Sequence, residues 1–269
     1  KIMSTNFIVV DKSISVAEAQ LLLLKNDTTH LCVTEDGTEN STLLGIISER
    51  DVINSQSNNP GILIKEIKSA HTFDEIKYIH TKYLDIIQNS FTKNIPIFHI
   101  NAVASEILFS IIHKNIEMAI DHLGSPPARF VWLAIGSQGR KEQLLMTDQD
   151  NAIIFEDVPE EKYDAVKNYF LELAEKVTKT LNKVGYNYCP AEMMASNPLW
   201  CKSVTDWQHQ FKGWITSPGE KGILMCTIFF DYDFVYGNES LIDTITKTIH
   251  EETNDNQLFF AYLGADALK

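Results

Sequence analysis

Four side chains near the middle of the chain have types and spacing that suit phosphate chemistry. Gly136 and Ser137 close an apolar run that begins at Trp132, and Asp148 and Asp150 lead into a second run, Ala152 to Phe155. Successive side chains on a strand point to opposite faces, so Asp148 and Asp150 share one face, about 7 Å apart. Two carboxylates held this way can bind one or two Mg2+, hard ions that take oxygen ligands and leave positions open to phosphate oxygens. Gly136 and Gly139 let a backbone turn approach a triphosphate, while Ser137, backbone N–H groups and Arg140 donate to it. The chemistry that follows is nucleotidyl transfer, in-line attack on an α-phosphate with pyrophosphate leaving. For that reaction a protein contributes mainly positioning and charge neutralisation.

Neighbouring residues suggest supporting roles. Glu142 can orient Arg140, reach a metal through water, or simply place negative charge near a helix N-terminus. Thr147, Gln149 and Asn151 are spaced to fix the two carboxylates from behind. Lys141 and Lys202 are further candidate cations for the triphosphate.

The elements that must position these groups can be read from periodicity. Pro126 and Pro127 punctuate the entry to a strand, a turn and a second strand. A long amphipathic helix follows over 157–184, with Tyr163, Val166, Phe170, Leu173, Val177 and Leu181 on one face. Upstream, residues 62–125 predict two long helices, separated by a loop at Ser90–Asn94 with Pro96 just beyond. They serve either as a coupling element or as a plain helical hairpin. Downstream, Trp200, Trp207 and Trp214 recur every seven residues, roughly one face of a helix. A core role is the expectation for them, with Gly213 signalling a break. The apolar run Ile223–Tyr236 is a buried strand or a buried helix, which periodicity does not separate.

Residues 1–57 alternate short apolar runs with turn signals. Phe7–Val10 reads as a strand, Ser15 opens a helix with Glu18 completing a capping box, Leu31–Val33 and Leu43–Ile47 read as strands, and a helix starts at Glu49.

The segment Gly136-Ser137-x-Gly139-Arg140-x-Glu142-Gln143, followed by Thr147-Asp148-Gln149-Asp150-Asn151-Ala152, resembles the DNA polymerase beta nucleotidyltransferase superfamily. Within it, the pattern is similar to the nucleotidyltransferases of bacterial signalling proteins, which are related to the protein-PII uridylyltransferases and usually follow a pair of CBS domains. Cys189-Pro190, Met194-Ala195-Ser196-Asn197-Pro198, Trp207, Trp214 and Phe229-Phe230-Asp231 extend the resemblance over nearly the whole chain. It implies an α/β (α+β) architecture with a CBS domain at 1–57, a helical connector at 58–125, a nucleotidyltransferase core at 126–199 and a helical extension at 200–269. It also implies Mg2+, an NTP, and a protein or small-molecule acceptor. A Tyr or Ser/Thr hydroxyl on a regulatory protein is the leading expectation for that acceptor. The alternative is a nucleotide-sensing module without catalysis.

Many members of the superfamily use a third carboxylate to deprotonate the attacking hydroxyl. Asp231 matches the family's Phe-Phe-Asp, so the implied catalytic set is Asp148, Asp150 and Asp231. Asp233 stands where relatives tend to carry Arg, Asn238 where they tend to carry Asp, and Glu192 where a small residue is expected. The ending Gly45 to Asp51 resembles a CBS domain, in which a hydroxyl and a carboxylate three residues later grip the ribose of an adenine nucleotide. Ser48 and Asp51 match those positions, although Ser48 capping the next helix explains them equally well. CBS domains work in pairs, so the missing partner is expected upstream or from a second copy in a homodimer.

Composition narrows the alternatives. With 36 acidic against 23 basic residues and a net charge of −13, the chain is ill suited to a polynucleotide acceptor. Cys32, Cys189, Cys201 and Cys226 are scattered and read as reduced cysteines of a cytoplasmic protein. No run reaches the roughly 18–20 apolar residues of a membrane span, and no secretory signal is read at the start. The chain opens at Lys1, in what reads as the middle of a domain, so part of a longer protein is expected.

Overall fold

The computed structural model describes residues 7–55, 60–92, 95–144, 148–217, 219–254 and 256–266. Thr147, expected behind the carboxylates, lies outside them. The chain divides into two compact units, Lys1–Leu63 and Ile64–Lys269.

The first unit runs β1 (Val9–Asp11), α1 (Val16–Lys25), β2 (His30–Thr34), β3 (Leu43–Ser48) and α2 (Glu49–Ser55). The capping box forms as expected: the Ser15 hydroxyl accepts the Glu18 N–H at 3.3 Å, and Glu18 Oε2 accepts the Ser15 N–H at 3.0 Å. The α1 crossover makes β1 parallel to β2, and a short turn returns β3 antiparallel. Val10, Ala19, Leu23, Leu31 and Val52 form the core.

Next along the chain come α3 (Pro60–Ser69), α4 (Phe73–Thr92) and α5 (Ile97–Leu123). Three helices thus replace the two expected. The extra break falls at Ala70–Thr72, where Glu75 Oε2 accepts the His71 N–H at 2.7 Å and the Thr72 N–H at 3.3 Å. Apolar periodicity runs on across this interruption because both flanking helices bury the same kind of face. The expected loop begins later than Ser90, since α4 continues to Thr92.

The second unit is built on β4 (Phe130–Ala134), α6 (Gly136–Gly139), β5 (Asp148–Gln149), β6 (Asn151–Phe155), α7 (Glu160–Val184), β7 (Asn187–Tyr188), β8 (Cys201–Ser203), α8 (Val204–Thr216), α9 (Glu220–Phe230), β9 (Asp233–Gly237), α10 (Ser240–Thr253) and α11 (Gln257–Asp266). The central sheet has the order β8-β6-β4-β9, and β5 pairs separately with β7. β4 is antiparallel to β6 and β9, while β8 joins β6 in parallel. Every residue of β4 and β6 is buried, which is why both read as unbroken apolar runs.

One sheet face, with Val131, Leu133, Ala152 and Ile154, packs on residues of α8 to α11 such as Trp207, Phe229, Ile245 and Phe259. On the other face Phe130 and Phe155 pack on Phe170 of α7, with ring centroids 5.0 and 5.3 Å away. The tryptophans belong to the core, as their spacing suggested. Only Trp207 and Trp214 lie on α8, because Trp200 precedes β8, and Gly213 does not interrupt the helix. Trp207 Nε1 donates to Ile153 O at 2.9 Å, fixing α8 to β6. The run Ile223–Tyr236 holds both candidate structures, the end of α9 and the start of β9. Because β8 and β9 are edge strands of the central sheet, a boundary at 199 passes through that sheet. Among the described residues no helix is long and apolar enough to cross a membrane.

Candidate active site

Three strands converge at one end of the sheet. Ala134, the last residue of β4, stands in register with Asn151 at the start of β6 and Asp233 at the start of β9. Beyond Ala134 the chain turns sharply: Gly136 has φ +57, a left-handed conformation that favours glycine. The Ile135 N–H donates to Asp150 O at 3.0 Å, tying the turn to the carboxylate segment. A Cβ added to Gly136 would sit 3.7 Å from Asp150 Oδ2 and 3.5 Å from Ile228 Cγ2, so the turn lies directly against that carboxylate.

Strand alternation separates the polar residues that follow. Gln149 and Asn151 are each 1% exposed and point inward. Gln149 Nε2 donates to Thr178 O at 3.1 Å and Tyr186 O at 3.0 Å, and Asn151 Oδ1 accepts the Ala195 N–H at 2.8 Å. They fix the strand backbone rather than the carboxylates, which corrects the role expected for them. Asp148 and Asp150 are half-buried. Burial above all, and then the Asp148 charge, raise the Asp150 carboxyl above its ordinary range, against a lowering hydrogen bond from Cys189.

The signature cations face the link between α9 and β9. Arg140 places Nη1 at 2.6 Å from Asp231 Oδ2 and Nε at 2.9 Å from Glu142 Oε2. These two hydrogen bonds, Asp231 first, raise the guanidinium pKa further. Of the roles open to Glu142, this geometry shows the orienting one. Lys141 Nζ lies 2.7 Å from Asp233 Oδ2.

Asp231, expected as a third catalytic carboxylate, is thus the partner of Arg140. Among the described residues no group of three or more His, Cys, Asp or Glu is gathered to hold a metal, leaving Asp148 and Asp150 as a pair. Asn238 is at the opposite end of β4, where its N–H donates to Phe130 O at 2.8 Å. Four residues of strand, about 13 Å, separate it from the turn. Glu192 adopts φ +54 in the loop after Cys189, a backbone state that suits the small residue expected there.

Lys202 is not a phosphate cation in this arrangement. It pairs with Ile154 well along β6, with Nζ 2.7 Å from Gln210 Oε1 and 5.5 Å from the centre of the Trp207 ring. Burial lowers its ammonium pKa.

Three contributors were not assigned from sequence. Cys189 hydrogen-bonds Asp150, Gln143 bonds both Ser137 and Asp148, and the Tyr83 hydroxyl of α4 donates to Leu144 O. The position of Gln143 at the end of the signature was the available signal, while the other two depend on tertiary contacts. A cavity of about 690 Å³ lies at the Lys141–Asp233 ion pair, lined also by Phe109, His113, Lys114 and Glu239.

In the first unit Ser48 and Asp51 cap α2 reciprocally. Asp51 Oδ2 accepts the Ser48 N–H at 2.8 Å and the Ser48 hydroxyl at 2.6 Å, while Ser48 Oγ accepts the Asp51 N–H at 3.1 Å. The capping role is present, and it keeps both polar groups together at the end of β3.

A glycine turn laid against paired carboxylates at the end of a mixed sheet defines a nucleotidyltransferase-like protein. The family described as Putative nucleotidyltransferase DUF294 matches residues 81–221, over half of the chain, and the chain belongs to it. The CBS domain family matches residues 1–58. No curated protein matches the chain.

Proposed function

We propose that this protein is a Mg2+-dependent nucleotidyltransferase, similar to the protein uridylyltransferases. It would move a nucleoside monophosphate from an NTP to a hydroxyl of a regulatory protein or small acceptor. The observation that carries this reading is the packing of Gly136 against Asp150, with Asp148 coupled to it. Two half-buried carboxylates offer oxygen donors suited to Mg2+, a metal that takes few protein ligands and fills its remaining positions with water and phosphate. When bound, the metal would supply charge neutralisation across the phosphate oxygens. Ser137 and the turn's N–H groups would hold the β- and γ-phosphates. Arg140, exchanging part of its contact with Asp231, would add a cation. Calorimetry with ATP, UTP, CTP and GTP, each with and without Mg2+, tests the reading. Saturable binding of at least one NTP that requires Mg2+ is expected, and its absence for all four would overturn it.

A second reading has one observation in its favour. Among the described residues no third carboxylate joins Asp148 and Asp150, and a nucleotide sensor without transfer chemistry fits the same site. Transfer of label from an α-labelled NTP to protein, with release of pyrophosphate, separates the two.

For the first unit we propose an adenine nucleotide as regulator, bound when two CBS domains pair. Leu43, Leu44 and Ile46 of β3 are 58%, 53% and 60% exposed, apolar surface that suits a second domain. Dimerisation of the chain with AMP binding that weakens on Asp51→Ala would support this. A monomer that binds no AMP at millimolar concentration would exclude pairing between copies.

A further inference from the structure

We propose that Gln143 is the positioning residue of the triphosphate site, one that sets the direction of the Ser137 hydroxyl. The proposal rests on the reading of Gly136, Ser137, Asp148 and Asp150 as that site. Gln143 Nε2 lies 3.0 Å from Ser137 Oγ and 3.2 Å from Asp148 O. A backbone carbonyl can only accept, so the amide must turn its nitrogen, not its oxygen, toward both partners. Ser137 Oγ is then an acceptor from Gln143, which turns its own O–H away from the amide. That leaves the hydroxyl hydrogen available to a phosphate oxygen in front of the turn.

The same amide joins two segments that must act together. Ser137 belongs to the turn after β4 and Asp148 begins the carboxylate segment, and Gln143 bridges them within a short stretch of chain. The ends of that stretch are fixed as well, since the Glu142 N–H donates to Ser137 O at 3.1 Å and Leu144 O accepts the Tyr83 hydroxyl. Gln143 Oε1, by contrast, is buried with no hydrogen-bond partner among the described residues. An unpaired buried carbonyl is costly, and an apolar side chain would fill the space without it. The donor is what the site gains from an amide here.

The test is a double-mutant cycle on the full chain, read by calorimetry with Mg2+ and the α,β-methylene analogue of the NTP that wild type prefers. The variants are Q143M, S137A and the pair together, with Q143E as a second probe of similar shape. Q143M is expected to weaken binding about ten- to a hundredfold, the worth of one hydrogen bond to a charged oxygen. In the S137A background its cost should shrink to the few-fold that the Asp148 O bond contributes, because the larger part of its effect runs through that hydroxyl. Q143E should weaken binding at least as much, since its carboxylate would accept the Ser137 proton, and circular dichroism confirms that each variant is folded. A Q143M loss that persists in full without the Ser137 hydroxyl, or Q143E binding as well as wild type, would overturn the proposal alone. A wild-type chain that binds no triphosphate removes the site reading and this inference with it.

Discussion

Gly139 and Asp231 are in backbone contact so close that a Cβ on Gly139 would fall 1.7 Å from the Asp231 carbonyl oxygen. Residues far apart in sequence are thereby fixed together, and Arg140, one residue on, reaches the carboxylate of the same aspartate. The second glycine of the signature serves this approach as much as any ligand. Gly139→Ala must displace backbone, because the added carbon would also stand 3.1 Å from Ala134 O. A loss of about 2–3 kcal/mol is expected in urea unfolding, at the upper end for overpacked sites, together with weaker NTP binding. An unchanged midpoint would show that the contact is not made.

Replacing Asp148 and Asp150 together by Asn should abolish Mg2+-dependent triphosphate binding. It should leave the thermal midpoint unchanged or raised, because it removes two half-buried carboxylates that repel each other. Calorimetry and a thermal scan on the same sample decide the matter. Undiminished nucleotide affinity would sink the assignment of the pair.

Asp231 distinguishes a tether from a catalyst. Its ion pair with Arg140 is partly open to solvent, with side chains 44% and 36% exposed, so the pair adds less than about 1 kcal/mol to stability. If Asp231 only holds Arg140, Asp231→Asn should change NTP affinity a few-fold and leave most of the turnover. Loss of turnover by a factor of about a thousand, with binding intact, would restore it as the general base that sequence comparison suggested.

Sequence reveals most clearly what depends on local pattern. The buried runs of β4 and β6, the Ser15 cap and the turn at Gly136 all follow from alternation, capping and turn chemistry. What it leaves open depends on which distant segment fills a position. The Phe229-Phe230-Asp231 motif resembles a catalytic signature, yet Asp231 faces Arg140 because α9 docks on α6. Lys202 has the charge for phosphate but lies along β8, pointing at Gln210 and Trp207. The break before α4 is set by one glutamate, Glu75, folding back on two amides. No periodicity of apolar residues encodes that.

His80 should make the second unit acid-sensitive. It is 7% exposed, with its ring 4.9 Å from Tyr186 and 5.5 Å from Tyr83. Burial pushes its pKa from 6.5 down to about 4. The neighbouring tyrosines, which burial drives up (Tyr83 to about 12 and Tyr186 well above its usual value), stay uncharged at acid pH. Between pH 6.5 and 4 the unfolded chain therefore binds a proton at this residue that the folded chain does not. Stability must rise with pH across that window and be lost as pH falls through it, by about 3 kcal/mol in full. His80→Gln cannot titrate there, so the wild-type-minus-variant difference in urea-unfolding free energy isolates the residue, since carboxylates common to both chains cancel. That difference should favour wild type most at pH 7 and shrink steadily toward pH 4. A difference that stays constant over this range would mean that His80 is solvated or hydrogen-bonded as an imidazolium, and the buried cluster beneath the Tyr83–Leu144 contact would have to be redrawn.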